Sequence, residues 1–104
     1  MAMAQMRKIA GMISTTDAGA AEVFHAIETK TQQTIISCKV SKKTFDVLNY
    51  ELGFGKGVGA DGFLNLEGKK ILISKLENNL EFKKANEELI ESIKKANKVK
   101  ILQA

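Results

Sequence analysis

The feature that most constrains the fold is a two-residue alternation of apolar and polar side chains in the first part of the chain. In residues 34–40, Ile36, Cys38 and Val40 fall on one side of an extended chain, and polar residues occupy the positions between them. Residues 7–14 alternate in the same way, although less strictly. Because successive side chains of a strand point to opposite faces, the pattern predicts two strands.

The segment between these strands fits two patterns. Val23, His25 and Ile27 alternate as they would in a strand, and the polar step at residues 30–33 would then close a hairpin into the next strand. Asp17 could instead cap a helix over the same segment. We favour the strand.

A helix is predicted next. Ser41 is a suitable N-cap, and Phe45, Leu48 and Leu52 recur at helical spacing. Gly53 stands where a left-handed residue would end the helix.

The pattern then becomes extended again. Residues 56–66 resemble a strand, a turn is predicted at residues 68–69, and residues 70–76 form a further strand with Ile71 and Ile73 facing inward.

The C-terminal part is predicted to be one long helix followed by a short strand. Asn78 or Asn79 begins the helix, and Asn97 ends it. The apolar residues on one side of this helix are Phe82, Ala85, Leu89, Ile93 and Ala96. Residues 98–102 alternate as a strand does.

Length and composition limit the remaining choices. A chain of 104 residues supports one core, so we expect one domain over residues 1–104. The chain has no proline, and it lacks an apolar run long enough to cross a bilayer. The N-terminal residues do not follow the pattern of a signal peptide, and the single cysteine, Cys38, cannot build a disulfide framework. We therefore expect a cytoplasmic protein that does not associate with membranes.

The predicted order of strands and helices resembles an OB-fold. The resemblance covers residues 8–77 and is clearest at residues 56–64 and 70–76, which are similar to the helix exit, the glycine-bearing fourth strand and the aliphatic fifth strand of such barrels. It implies a mainly β, five-stranded barrel of order β-β-β-α-β-β over residues 7–77. The helix at residues 79–97 and the strand-like tail at residues 98–104 would follow it.

A second fold remains open. If residues 17–30 form a helix, the order becomes β-α-β-α-β-β-α-β. Such a chain would be an α+β sandwich with helices covering one face of a sheet.

The motifs that could carry catalysis are weak. Residues 57–62 match G-x-G-x-x-G, but a dinucleotide site needs a strand before the glycines and a helix after them, whereas here the predicted order is reversed. His25 and Cys38 have no further metal ligands or nucleophile partners in the sequence pattern, and the carboxylates are spread singly. We expect His25 to be half-buried and hydrogen-bonded and Cys38 to lie in the core. We expect no enzyme activity, cofactor or metal.

The net charge of +4 favours a polyanionic partner, and all but one of the 16 basic residues are lysines. The OB-fold resemblance implies a binding surface on the second and third strands and the adjoining loops. We therefore expect weak, sequence-tolerant binding of single-stranded DNA or RNA. The residues expected to form this surface are Phe24, Lys30, Lys39, Lys42, Lys43, Lys69 and Lys70.

The alternative is a protein-interaction or assembly module, with a protein partner or a second copy as its ligand. The C-terminal helix could pair through its apolar side, and the tail could add a strand to a sheet edge. The residues of this hypothesis are Phe82, Leu89, Ile93, Val99 and Ile101. The plainer outcome is that the helix packs on its own barrel.

Overall fold

The computed structural model of the chain describes residues 5–14, 21–53 and 55–104. Within these residues, eight elements follow one another in the order β-β-β-α-α-α-α-β. The strands are β1 (Gln5–Ser14), β2 (Ala21–Lys30), β3 (Thr34–Val40) and β4 (Lys98–Gln103). The helices are α1 (Lys42–Glu51), α2 (Leu66–Leu76), α3 (Leu80–Ala85) and α4 (Glu87–Lys95).

The strands form one sheet in the order β1-β2-β3-β4. The first three are antiparallel neighbours, and β4 lies parallel to β3, with Ile36 opposite Val99. A parallel neighbour needs a long crossover, which the four helices supply. The tail therefore adds a strand to its own sheet.

All four helices contribute to a single layer against one face of the sheet. Leu48 and Leu52 of the α1 region, Leu72 of α2 and Leu89 of α4 are buried in one hydrophobic cluster. The strand residues in the same cluster include Ile9, Ile13, Phe24, Ala26, Ile36, Cys38, Val40 and Val99. The apolar residues of the alternating pattern therefore face the helices, and the residues between them lie on the opposite face of the sheet.

The predictions for the first half of the chain are confirmed. The three strands and α1 lie where the periodicity indicates, and residues 21–30 are a strand. The helical alternative for this segment is therefore wrong over residues 21–30, and residues 17–20 lie outside the described residues. The Ser41 side chain accepts the Thr44 N–H at 3.3 Å, as an N-cap does, and Gly53 is left-handed with φ of 65°.

The strand predicted at residues 70–76 is wrong, because this segment belongs to helix α2. The Asn65 side chain accepts the Gly68 N–H at 2.9 Å and so caps the helix. Leu72 and Leu76, one helical turn apart, are both buried, whereas Ile71 is only partly buried. The aliphatic residues fit both the two-residue period of a strand and the roughly four-residue period of a helix. The burial of Leu72 and Leu76, four residues apart, matches the helical period.

The extended segment predicted at residues 56–66 is wrong as well. These residues form turns that are joined by one isolated bridge between Val58 and Leu64. The Leu64 N–H donates to the Val99 carbonyl at 2.7 Å, so the segment lies along the outer edge of β4. The five-stranded barrel is consequently not confirmed: the described residues form an open sheet of four strands in a mixed α/β structure.

The predicted C-terminal helix is divided at Asn86, which is fully buried. Its side chain pairs with the backbone of edge strand β1, since Oδ1 accepts the Met12 N–H at 2.9 Å and Nδ2 donates to the Met12 carbonyl at 2.7 Å. Nδ2 also donates to the Leu76 carbonyl at 3.0 Å. One amide side chain thereby connects β1, the end of α2 and the α3–α4 break.

We predict that Asn86→Ala lowers the free energy of unfolding by about 2–4 kcal/mol, because buried backbone groups of Met12 and Leu76 lose their partner. Chemical denaturation measures the loss. Asn78→Ala, at an exposed asparagine of the same region, is the control and should cost less than about 0.5 kcal/mol. Equal losses in the two variants would contradict the bracing role of Asn86.

We also predict that Gly68→Ala destabilises the fold, because a Cβ atom at Gly68 would lie 2.0 Å from the Gly57 carbonyl oxygen. We expect the steric cost, about 1–3 kcal/mol, to outweigh the gain in helix propensity on going from glycine to alanine, which is about 1 kcal/mol at most. Thermal unfolding of this variant and of Ser74→Ala, an exposed position of the same helix, provides the comparison. A stabilised Gly68→Ala protein would show that the turn and α2 are not in close contact.

Candidate functional site

The face of the sheet opposite the helices is the candidate site, and we call it the open face. Its side chains form three cross-strand rows, each of which runs from β1 to β4. The first row is Ala10, His25, Lys39 and Leu102; the second is Lys8, Ile27, Ser37 and Lys100; the third is Met6, Thr29, Ile35 and Lys98. Met12 and Val23 form one further pair beyond the first row.

The open face is positively charged. Each of its three rows carries at least one basic side chain, and the complete set is Lys8, His25, Lys39, Lys98 and Lys100. Among the strand residues that the structure describes, the carboxylates of β2 point to the helix side. The charged strand residues of the open face are therefore all basic, and the Asp61 carboxylate lies 3.9 Å from Lys98 at the β4 margin.

The two β2 carboxylates have their own partners on the helix side. The Glu22 carboxylate accepts hydrogen bonds from the hydroxyls of Ser41, at 2.6 Å, and Thr44, and these donors lower the pKa of Glu22. Glu28 is paired with Arg7 and Lys30. Neither carboxylate is therefore positioned to neutralise the open face.

Apolar side chains separate the basic ones. Val23 is 64% exposed and Met6 is 67% exposed, which are high values for such residues in a strand. Ile27 and Ile35 are partly buried in the centre of the face. A ligand on this face would therefore meet apolar surface as well as ammonium groups.

One aromatic ring lies at the β4 margin of the open face. The Phe63 ring centroid is 4.8 Å from the Lys98 ammonium and 5.6 Å from that of Lys100. The Asp61 side chain accepts the Phe63 N–H at 3.1 Å, and the Leu64 hydrogen bond to β4 fixes the adjoining backbone. The ring is thus held beside two lysines of the open face, at distances typical of cation–π contacts.

Phe24 does not lie on this surface, and its predicted exposure is wrong. The ring is 6% exposed and packs on the helix side, opposite Gly11 in the neighbouring strand. A Cβ atom at Gly11 would lie 2.6 Å from the ring, so the glycine makes room for the phenylalanine. The register that places Lys39 on the open face places Phe24 on the other.

The lysines predicted from the sequence are dispersed over the molecule. Only Lys39 lies on the open face. Lys30 points to the helix side, Lys42 is paired with Asp46 at 2.9 Å, and the Lys69 ammonium donates to the Ala96 carbonyl at 2.7 Å. Lys43 is exposed near the start of α1, and Lys70 is exposed on α2.

The basic residues of β1 and β4 on the open face, Lys8, Lys98 and Lys100, were not among the predicted binding residues. Lys98 and Lys100 alternate with Val99 and Ile101, and Lys8 is out of phase with Ile9. This alternation predicts that the lysines lie on the face opposite the core. The OB-fold resemblance instead implied a binding surface on the second and third strands. Phe63 carried no comparable signal.

The residues of the assembly hypothesis lie mainly inside the chain's own core. Phe82, Leu89, Ile93 and Val99 are buried, and Ile101 is partly buried. The apolar side of the C-terminal helices therefore packs on the sheet of the same chain. A partner would have to displace this packing to use it.

His25 and Cys38 lie on opposite faces of the sheet. His25 is exposed on the open face, so its predicted half-buried position is wrong, and Cys38 is buried on the helix side, as expected. Burial raises the pKa of the Cys38 thiol to about 12. Across the described ranges, no three His, Cys, Asp or Glu side chains lie close enough to hold a metal ion.

The glycine motif at residues 57–62 does precede a helix, contrary to the sequence prediction. The helix N-terminus is capped by Asn65, and Glu67 places a negative charge in its first turn. A phosphate would meet repulsion there. Gly57 instead allows the turn to contact Gly68 of α2 closely.

Comparisons with protein-family models, with curated proteins and with solved structures give no match for this chain. In the part of the chain that the structure describes, no helix combines the length and apolar character needed to span a bilayer.

We predict that the Cys38 thiol reacts slowly in the folded protein, because it is buried and protonated at neutral pH. Labelling with a thiol reagent near pH 8 should be at least about a hundredfold slower than in denaturant. The same assay on the folded and unfolded protein supplies its own control. Equally fast labelling in both states would place the thiol at the surface.

Proposed function

We propose that the chain is a non-catalytic module that binds single-stranded nucleic acid on the open face of its sheet. The observation that carries the proposal is charge segregation. Five basic side chains lie on the uncovered face, while the carboxylates of β2 turn to the helices. A sheet face rich in basic side chains attracts a polyanion.

The chemistry of the basic residues supports sequence-tolerant binding. Four of the five are lysines, whose ammonium groups act as point charges toward phosphates. The chain's one arginine, Arg7, points to the helix side, so it does not supply a forked contact to a base edge on this face. Recognition would therefore depend on the backbone of the nucleic acid.

The apolar surface between the lysines supports a single strand rather than a duplex. Unpaired bases can lie on exposed apolar groups such as Val23, whereas a duplex keeps its bases stacked inside. Phe63, at the β4 margin, is the ring that a base would stack on, with Lys98 and Lys100 beside it for the phosphates.

The expected affinity is modest. One stacking ring contributes about 1–3 kcal/mol, and four lysines neutralise about four phosphates at most. We expect dissociation constants in the micromolar range or weaker. The logarithm of the binding constant should fall with the logarithm of the salt concentration with a slope of about −3.

A protein-interaction module is the second candidate, and the exposed Met6 and Val23 favour it. A second copy docked face to face would bring two identical sets of basic side chains together, which opposes a symmetric dimer through the open face. An acidic protein surface would be the suitable partner. Fluorescence anisotropy with an acidic polypeptide and with an oligonucleotide of equal charge distinguishes the two candidates: tighter binding of the polypeptide would favour protein interaction, and tighter binding of the oligonucleotide would favour nucleic acid.

We predict that the double variant Lys39→Glu/Lys100→Glu binds oligonucleotides of about 15 nucleotides at least about tenfold more weakly than the unaltered chain. Fluorescence anisotropy with DNA and RNA at about 50 mM and about 200 mM salt measures the effect. Phe63→Leu should weaken binding several-fold while leaving the salt slope unchanged, because it removes stacking but no charge.

The matched control is Lys84→Glu/Lys94→Glu, which changes the net charge equally at exposed positions of the helical layer. It should alter affinity less than about twofold. Equal losses in the two double variants would indicate diffuse attraction without a site. No binding to either oligonucleotide at low salt would end the proposal.

A further inference from the structure

A charged cleft lies on the helix side of the sheet. It has a volume of about 290 Å³ and lies where the end of β2 and the start of β3 meet α4. An adjoining cavity of about 360 Å³ extends the cleft toward Gln5 and Met6, and Arg7, Glu28 and Lys30 line both. Volumes near 300 Å³ are at the small end of ligand sites.

The buried group in this cleft is the Glu28 carboxylate, whose side chain is 6% exposed. Its contacts are long: 3.4 Å and 3.5 Å to the Arg7 guanidinium and 3.6 Å to the Lys30 ammonium. Charge-assisted hydrogen bonds are typically about 2.7–2.9 Å. The carboxylate is therefore buried and paired, but only through long contacts, and its oxygens have further lone pairs that can accept an additional donor.

Arg7 is held in place by other groups. Its guanidinium donates to the Ser92 hydroxyl at 3.1 Å and pairs with Glu88. These contacts orient the guanidinium toward α4 and leave its approach to Glu28 loose. A small donor in the cleft can thus add a shorter hydrogen bond to Glu28 while Arg7 keeps its contact with Ser92.

The charges that line the cleft are balanced. Three cations, Arg7, Lys30 and Lys95, face three carboxylates, which belong to Glu28, Glu88 and Glu91. A purely anionic ligand would meet the carboxylates, and a purely cationic one would meet the ammonium groups. A molecule with both charges, separated by a few bonds, is complementary to such a lining.

We propose that this cleft binds a small zwitterion of the α-amino acid class, with its ammonium group on Glu28 and its carboxylate toward Lys30 and Lys95. The site does not depend on the proposed nucleic-acid binding, since its residues belong to the helix side of the sheet. The Ser92 and Thr34 hydroxyls, which also line the cleft, offer further hydrogen bonds.

The test uses three matched probes on the full chain: L-norvaline, butylamine, which lacks the carboxylate, and valerate, which lacks the amine. Amide chemical shifts are followed by NMR during titration to about 20 mM. L-Norvaline should shift signals around Glu28, Thr34 and Ser92 with a millimolar dissociation constant. Each fragment should bind at least about tenfold more weakly.

Three variants locate the site. Glu28→Gln and Lys95→Ala should each weaken L-norvaline binding at least about fivefold. Lys84→Ala, at an exposed position of α3 that does not line the cleft, should leave it unchanged. Lys95 is exposed, so Lys95→Ala keeps the test valid if Glu28→Gln fails to fold.

Several outcomes would overturn the proposal. Butylamine binding as tightly as L-norvaline would indicate a simple cation site, and valerate binding as tightly would indicate a simple anion site. Shifts that cluster elsewhere, the absence of shifts, or equal loss in Lys84→Ala and Lys95→Ala would each reject a zwitterion site in this cleft.

Discussion

The packing of every helix on one face of the sheet is the constraint on which the other features depend. Side chains alternate across a strand, so burying Ile36, Cys38 and Val40 under the helices necessarily turns Ser37 and Lys39 outward. The same alternation in β1, β2 and β4 generates a complete second face. That face exists because the helices of the described residues form one layer, on one side of the sheet.

The distribution of charge follows from this one-sided packing. The carboxylates of β2 have partners on the helix side, Glu22 in the hydroxyls that begin α1 and Glu28 in Arg7 and Lys30. The lysines of the opposite face have fewer compensating groups, although Asp61 lies 3.9 Å from Lys98 at its margin. The molecule therefore has two chemically distinct regions, a predominantly basic sheet face and a cleft of balanced charge.

The periodicity of residues 70–76 predicted a strand, whereas the structure has a helix there. Ile71 and Ile73 fit an alternating pattern, while Leu72 and Leu76 fit a helical one, and an aliphatic run by itself does not separate the two. In the structure the Asn65 side chain caps helix α2, and Gly57 lies in close contact with Gly68 of the same helix. With this segment helical, the barrel loses a strand, and the surface mapped from the barrel, including Phe24, does not form.

The sequence by itself determined the first three strands, the first helix with its Ser41 and Gly53 ends, and the strand character of the tail, because each depends on local periodicity and capping. Only the tertiary structure decided that β4 lies parallel to β3, that Asn86 interrupts the last helix to pair with Met12, and which lysines share a face. Such features depend on strand neighbours and register. These are relations between distant residues, and local periodicity does not encode them.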